Sequence, residues 1–311
     1  MADPYLITGP ALISFSGGRT SAYMLYNIIQ AHGGTLPDDV YVCFANTGKE
    51  REETLRFVHE CGSRWGVYIH WVEWTESPRR RKAGEPKLDL ISDAQRRFKT
   101  VGYNSASRNG EPFAKLIERK RFLPTTTMRY CTASLKVETL KWFMVAQGHE
   151  TWLNVVGLRG DEMHRVFKQI ERNEQGKERW QSLMPMAKNG SAPNGRMVRE
   201  QDVLDFWANQ SFDLGLKSYE GNCDLCFLKS RGKLLKLIRD NPTSAEWWAS
   251  QEKTRSQRNG GAVSKSSGQF RRDESFEQMT AAAVNSFELP MFDDGEEYDA
   301  ECGTWCAGDS E

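Results

Sequence analysis

A chain of 311 residues with 42 Lys+Arg against 42 Asp+Glu has no net charge, and so no global field that would draw it to nucleic acid. No apolar run is long enough to span a bilayer and the opening residues carry no signal-peptide pattern, so a cytoplasmic protein without membrane attachment is expected. In that compartment its 7 Cys point to metal, catalysis or packing rather than to disulfides.

Ala11–Phe15 is a short apolar run of the kind that forms a buried strand. Ser16-Gly17-Gly18-Arg19-Thr20-Ser21 follows at once. Ala22, Leu25, Tyr26 and Ile29 then recur at helical spacing until Gly33-Gly34 stops the helix. Glycines at a strand-to-helix turn let backbone approach an anion, and the helix N-terminus turns free N–H groups toward it. Three hydroxyls and a guanidinium add donors. An N-capped turn is the plain alternative, and six consecutive anion-friendly residues favour a phosphate or pyrophosphate site over it.

Val40–Phe44 reads as a second buried strand, ending in Asn46-Thr47-Gly48 before an amphipathic helix over Glu52–Cys61; Val67–Trp74 reads as a third strand. The β-α-β-α-β order predicts an α/β fold, a parallel sheet with helices on both faces. Both polar loops fall at the carboxyl edge, where such sheets bind ligands. A polar, basic region runs from Pro78-Arg79-Arg80-Arg81-Lys82 to about Arg121, with a short helix at Phe113–Phe122. It is either a solvated loop or a flap that meets a nucleic-acid backbone.

Arg129-Tyr130-Cys131-Thr132 precedes a helix over Ala133–Gln147, and Trp152–Gly157 is a further apolar strand. Arg159 and Arg165 follow it, flanking Asp161 and Glu162. Guanidinium forks suit phosphate or sulfate oxygens, and local ion pairs are the alternative. The stretch Lys168–Trp180 reads as charged and exposed, and Val203–Trp207 as helical. Cys223-x-x-Cys226 has chelating spacing, with Cys131 as a third ligand; an iron–sulfur cluster, Zn and buried thiols are the three readings. Helices are expected over Ser230–Arg239, Ala245–Glu252 and Phe276–Val284, separated by a Ser/Gly-rich hinge at Gln257–Gly268. Cys43 and Cys61 read as packing residues.

The loop Ser16–Ser21 resembles the pyrophosphate loop of the ATP pyrophosphatase (PP-loop) superfamily. It is most similar to the phosphoadenosine phosphosulfate (PAPS) reductase branch, whose loop reads Ser-Gly-Gly-Lys-Asp-Ser, so that Arg19 and Thr20 depart from Lys and Asp. Asn46-Thr47-Gly48 resembles the family's Asp-Thr-Gly, with Asn for Asp. Gly157, Arg159 and Arg165 match its Gly-x-Arg segment with a later Arg. Arg129 and Lys136 match a basic pair about its Cys-containing motif, in which Thr132 here replaces a second Cys. Glu301-Cys302-Gly303 resembles its C-terminal Glu-Cys-Gly.

The resemblance implies an adenine nucleotide alpha hydrolase-like fold and an adenine nucleotide ligand, PAPS, APS or ATP, with Mg2+ as a further candidate. It implies anion binding by Arg129, Lys136, Arg159 and Arg165, and a [4Fe–4S] cluster on Cys131, Cys223 and Cys226, with Zn as the alternative. Cys302 becomes a mobile nucleophile that attacks the sulfur of a sulfonucleotide, served by a thiol reductant protein, with Cys306 as a redox partner. ATP-dependent sulfur insertion into a nucleic acid reached through residues 78–121 is the rival activity, and a non-catalytic nucleotide-binding regulator the third reading. The expected organisation is a nucleotide-binding α/β domain over 1–220, the Cys-x-x-Cys segment with a helical region over 221–292, and a mobile acidic tail over 293–311.

Overall fold

The structure, a computed structural model, describes residues 3–76, 89–258 and 268–285. Cys302, Cys306 and the tail lie outside the described residues, as do Pro78–Lys82 and most of the Ser/Gly-rich hinge. Six strands form one sheet in the order β4-β3-β2-β1-β5-β6. They are β1 (Ala11–Ser14), β2 (Val40–Asn46), β3 (Ile69–Trp74), β4 (Phe98–Val101), β5 (Trp152–Val155) and β6 (Trp180–Leu183). All neighbours are parallel except β3 and β4.

The strands alternate in what they bury. Ile13, Val42 and Phe44 face a core shared with α1 (Arg19–Ala31) and α2 (Glu52–Trp65). Leu12, Cys43 and Val72 face the opposite core. That second core is covered by α3 (Leu90–Gln95) and by the run of α5 (Tyr130–Thr132), a π-helical turn (Ala133–Glu138) and α6 (Thr139–Ala146). Strands buried on both faces are near-continuous apolar runs, which is why β1 and β2 are plain in the sequence. Cys43 and Cys61 are fully buried, and burial pushes both thiols up.

Two elements differ from the sequence reading. The basic region is ordered where it is described, and holds α3, β4 and α4 (Glu111–Lys120). β4 runs antiparallel as an edge strand, and its cations are engaged locally: Arg97 pairs with Asp93 and lies 4.2 Å from the Trp142 ring, and Lys99 pairs with Glu73 at 2.6 Å. The charged stretch before Trp180 is an amphipathic helix, α7 (Met163–Gln175), leading into the edge strand β6. Val166 and Gln169 are its buried residues.

Beyond the sheet, α8 (Glu200–Ala208) packs on α1. The last three helices, α9 (Arg231–Asp240), α10 (Glu246–Arg258) and α11 (Phe276–Asn285), build a separate core of Trp248, Phe270, Phe276 and Ile238 with Phe113, Leu116 and Leu135. Among the described residues no helix is long and apolar enough to cross a membrane.

Glu252 of α10 is buried in this last core and accepts the N–H groups of Phe270 (3.1 Å) and Phe276 (2.8 Å). Burial pushes its carboxyl up from an ordinary 4.5 to about 7, against the two backbone donors. The folded state therefore holds a proton that the unfolded chain has released between those values. Stability from this group is complete below pH 4.5 and is lost as pH rises through about 7, by about 1.4 kcal/mol per pH unit in between. We expect Glu252→Gln to flatten that slope in urea melts taken from pH 4.5 to 8; an unchanged slope would remove Glu252 as its source.

Candidate functional site

β1 is the switch point of the sheet. The chain leaves it toward β2 on one side and returns to β5 on the other, so the loops after β1 and β5 part at the carboxyl edge. Gly18 is the N-cap residue of α1, with extended backbone, and Gly17 before it has a φ of +78°. The two glycines were expected to open space for an anion. Gly17 also answers a packing demand: a Cβ there would lie 2.8 Å from Thr54 Cγ2 and 2.9 Å from Val58 Cγ2. The hydroxyls are organised locally, Ser16 donating to Ser21 (2.9 Å) and Ser21 to the Gly18 carbonyl (3.0 Å).

Arg19 is held by Asp213 in a two-pronged pair, Nε to Oδ1 at 2.7 Å. Burial works to raise the Asp213 carboxyl, but hydrogen bonds from Arg19 and the Gly215 N–H outweigh it and hold the carboxyl below its usual range. The Arg19 cation is thus matched by an acid far along the chain.

The loop after β5 comes against the first turn of α1. A Cβ on Gly157 would lie 3.3 Å from Ser21 Cα, so a residue without one allows the approach. Arg159 is 6% exposed, and its Nη1 donates to Thr20 Oγ1 at 3.3 Å. Asp161 takes its Nε at 2.9 Å and Glu200 lies 3.9 Å from its Nη2. Arg165 pairs with Glu162, whose other oxygen accepts the Arg159 N–H at 3.0 Å.

The loop after β2 is built on two buried carboxylates. Glu73 accepts from Asn46 Nδ2 (2.6 Å) and the Ser107 N–H (2.6 Å), and Asn46 Oδ1 accepts the Gly48 N–H (3.1 Å). Asn46 thus braces the loop. Glu50 accepts both the N–H and the hydroxyl of Thr47 at 2.8 Å, and Lys136 Nζ stands 3.4 Å from its other oxygen. Lys136 projects from the π-helical turn after Cys131, where it is buried. Arg129 is half-buried at the N-cap of α5.

The Cys-x-x-Cys segment closes over these loops. Cys223 bridges Glu50 as an isolated β pair and its Sγ lies 3.9 Å from Glu50 Oε1. Asn222 donates to the Ser16 carbonyl at 2.9 Å, and the Asp224 N–H to the Lys49 carbonyl at 3.0 Å. Cys131 packs partly buried against the core of the helical layer that also holds Leu225 and Phe227. Among the described residues no three or more His, Cys, Asp or Glu side chains form a group that could hold a metal ion. Cys131, Cys223 and Cys226 are not brought together as such a set.

These loops edge a cavity of about 620 Å3, lined by Arg19, Thr20 and Arg159 on one side and by Trp207, Tyr219, Asn222 and Lys229 among others. Lys229 is 4% exposed. Burial pushes its ammonium down; Cys226 and Cys223 oppose that shift, and Arg51 and Lys233 add to it.

No family model matches the chain. It is similar to the uncharacterized nin region protein ORF290 of Escherichia phage lambda, at 28% identity over 233 residues, 74% of this chain and 69% of that protein. It is also similar to the uncharacterized protein MJ0066 of Methanocaldococcus jannaschii, at 23% identity over 244 residues, 78% of this chain and 41% of that protein. No solved structure matches.

Reasoning from sequence missed Glu50, Asp213, Asn222 and Lys229. Asn222 stands beside a motif that was singled out, and that adjacency was the available signal. Glu50 and Asp213 act through partners far along the chain, Lys136 and Arg19.

Proposed function

We propose that this protein is a PAPS reductase-like enzyme of the ATP pyrophosphatase superfamily, with an adenine nucleotide alpha hydrolase-like fold. It binds an adenine nucleotide on the loop Ser16–Ser21 and works at the α-phosphate or at a sulfur attached to it. The observation that carries this reading is the meeting of Arg159 with Thr20 at the sheet's switch point, beside a cavity large enough for a nucleotide. Backbone N–H groups at the start of α1 and the Arg159 guanidinium there suit a phosphate.

In the reaction favoured, a thiolate attacks the sulfonate sulfur of PAPS or APS and the nucleotide phosphate leaves. The resulting thiosulfonate on sulfur is opened by a second thiol, from the protein or from a thiol reductant protein, which releases sulfite and forms a disulfide. Cys302 is the nucleophile that the family resemblance supplies. No step of this route passes through a metal.

ATP-dependent sulfur insertion is the second reading, and the hydrogen bond from Asn222 to Ser16 favours it, because it seats the Cys223 segment on the phosphate loop. Products separate the two: sulfite for the first, AMP and pyrophosphate with a thiolated acceptor for the second. Nucleotide binding without either product would leave a regulator.

We expect Arg159→Ala to weaken nucleotide binding by tens-fold. A charge-assisted hydrogen bond is worth about 1.5–3 kcal/mol, and the side chain has no substitute at Thr20. Titration calorimetry with ATP and PAPS measures it, with a thermal melt to establish folding. Wild-type affinity in a folded variant would reduce Arg159 to a brace between loops.

A further inference from the structure

Lys229 carries an ammonium group that the fold buries. Its Nζ donates to the Tyr219 carbonyl at 3.5 Å, and no carboxylate of the described residues is paired with it. The nearby acids are committed elsewhere: Asp224 to Lys49 at 2.7 Å, Glu220 to Arg51 at 3.4 Å, and Asp213 to Arg19. The charged and titratable groups that act on Lys229 are the cations Arg51 and Lys233 and the thiols of Cys223 and Cys226. Burying an ammonium is costly unless a counter-charge offsets it. Lys229 and Lys233 both line the cavity that Arg19, Thr20 and Arg159 edge. A polar cavity lined by a buried lysine and a second lysine beside it has the chemistry of an anion receptor.

We propose that Lys229 and Lys233 form a second anion subsite in this cavity, which holds a phosphate group of the nucleotide other than the one on Ser16–Ser21. This rests on the nucleotide reading of the loop and narrows its substrate class to nucleotides with more than one phosphate. Lys229 lies in the turn before α9 and Lys233 in the first turn of that helix, so the subsite belongs to the entry of the C-terminal helical layer. An ammonium is a compact donor of three hydrogen bonds and binds phosphate without demanding a fixed fork geometry. Two sources share the chemistry: a phosphate further along a 5′ polyphosphate chain, or one on the ribose.

The test is calorimetry on the full chain with AMP, ATP and adenosine 3′,5′-bisphosphate at one salt concentration. At least one of the two larger ligands should bind tenfold or more tightly than AMP, and which one does so assigns the source of the phosphate. Lys229→Met should erase that gap while AMP affinity changes less than about threefold, since the loss of a charge-assisted bond is worth about tenfold or more. Lys233→Met, at a half-buried position outside the core, should narrow the gap and carries the test if Lys229→Met fails to fold. Equal affinity for the three nucleotides overturns the subsite alone, and so does a gap that survives both substitutions. The latter result, with thiol reactivity of Cys223 or Cys226 altered in Lys229→Met, would assign the lysine to the cysteines. Failure of every nucleotide to bind overturns the loop reading along with it.

Discussion

Gly17→Ala is expected to destabilise the fold by about 2–5 kcal/mol and to abolish nucleotide binding. Two costs add. A side chain at a φ of +78° suffers the left-handed penalty, about 1–2 kcal/mol. Its Cβ would then press on Thr54 Cγ2 at 2.8 Å, Val58 Cγ2 at 2.9 Å and the Phe44 ring at 3.2 Å. Those are packed core atoms of α2 and β2, and forcing a methyl among them costs about 1–3 kcal/mol. The relief open to the chain is to lift the loop, which moves Ser16 and the start of α1 away from Arg159. Gly34→Ala separates the two costs: its φ is +99° and nothing lies within 4 Å of the added carbon. Urea denaturation of both variants should show the larger loss at Gly17. Equal losses would leave only the backbone term.

Glu50→Ala is expected to cost about 3–5 kcal/mol, the range for breaking one side of a buried ion pair. The Glu50 side chain is wholly buried and Lys136 opposite it is 6% exposed. Removal takes away the acceptor of both Thr47 donors and a carboxylate paired with the lysine together. The loop Asn46–Glu50 would loosen, and with it the seat of Cys223. A double-mutant cycle with Glu50→Gln and Lys136→Met isolates the pair. The double variant should be more stable than the sum of the singles allows, because it buries neither charge alone. Strict additivity would mean that the two groups do not sense each other.

What could be read from the chain was whatever is local. The strand, loop and helix over Ala11–Ala31 announce themselves through an apolar run, two glycines and a 3.6-residue period. The α/β order of the first seventy residues follows in the same way. β4 was missed because Phe98–Val101 is an edge strand with its charges turned to neighbours, and neither alternation nor an apolar run marks it. β6 is four residues long and follows a helix whose charged face dominates its composition. The candidate site was half legible. Thr20 and Arg159 each stand in a recognisable stretch, but their contact spans 139 residues. Asp213 as the partner of Arg19, and Glu50 as the partner of Lys136, depend on topology that periodicity does not encode. Lys229 stands just before the basic helix expected over Ser230–Arg239, and only its burial sets it apart.

The hydrogen bond from Asn222 to the Ser16 carbonyl joins residues 206 positions apart. The first loop of the chain therefore stays unfinished until the segment around Cys223 has arrived, long after β1 and β2 have been synthesised. Contacts of such separation form late in folding, since their loop-closure entropy must be met before they return anything. A nascent chain can thus hold most of its sheet yet lack a closed binding edge. In the mature protein the same tether works in the other direction. A ligand that tightens Ser16–Ser21 should slow amide exchange in the segment around Cys223 and in the helices α9–α11 that follow it, since the Asn222 hydrogen bond ties that segment to the loop.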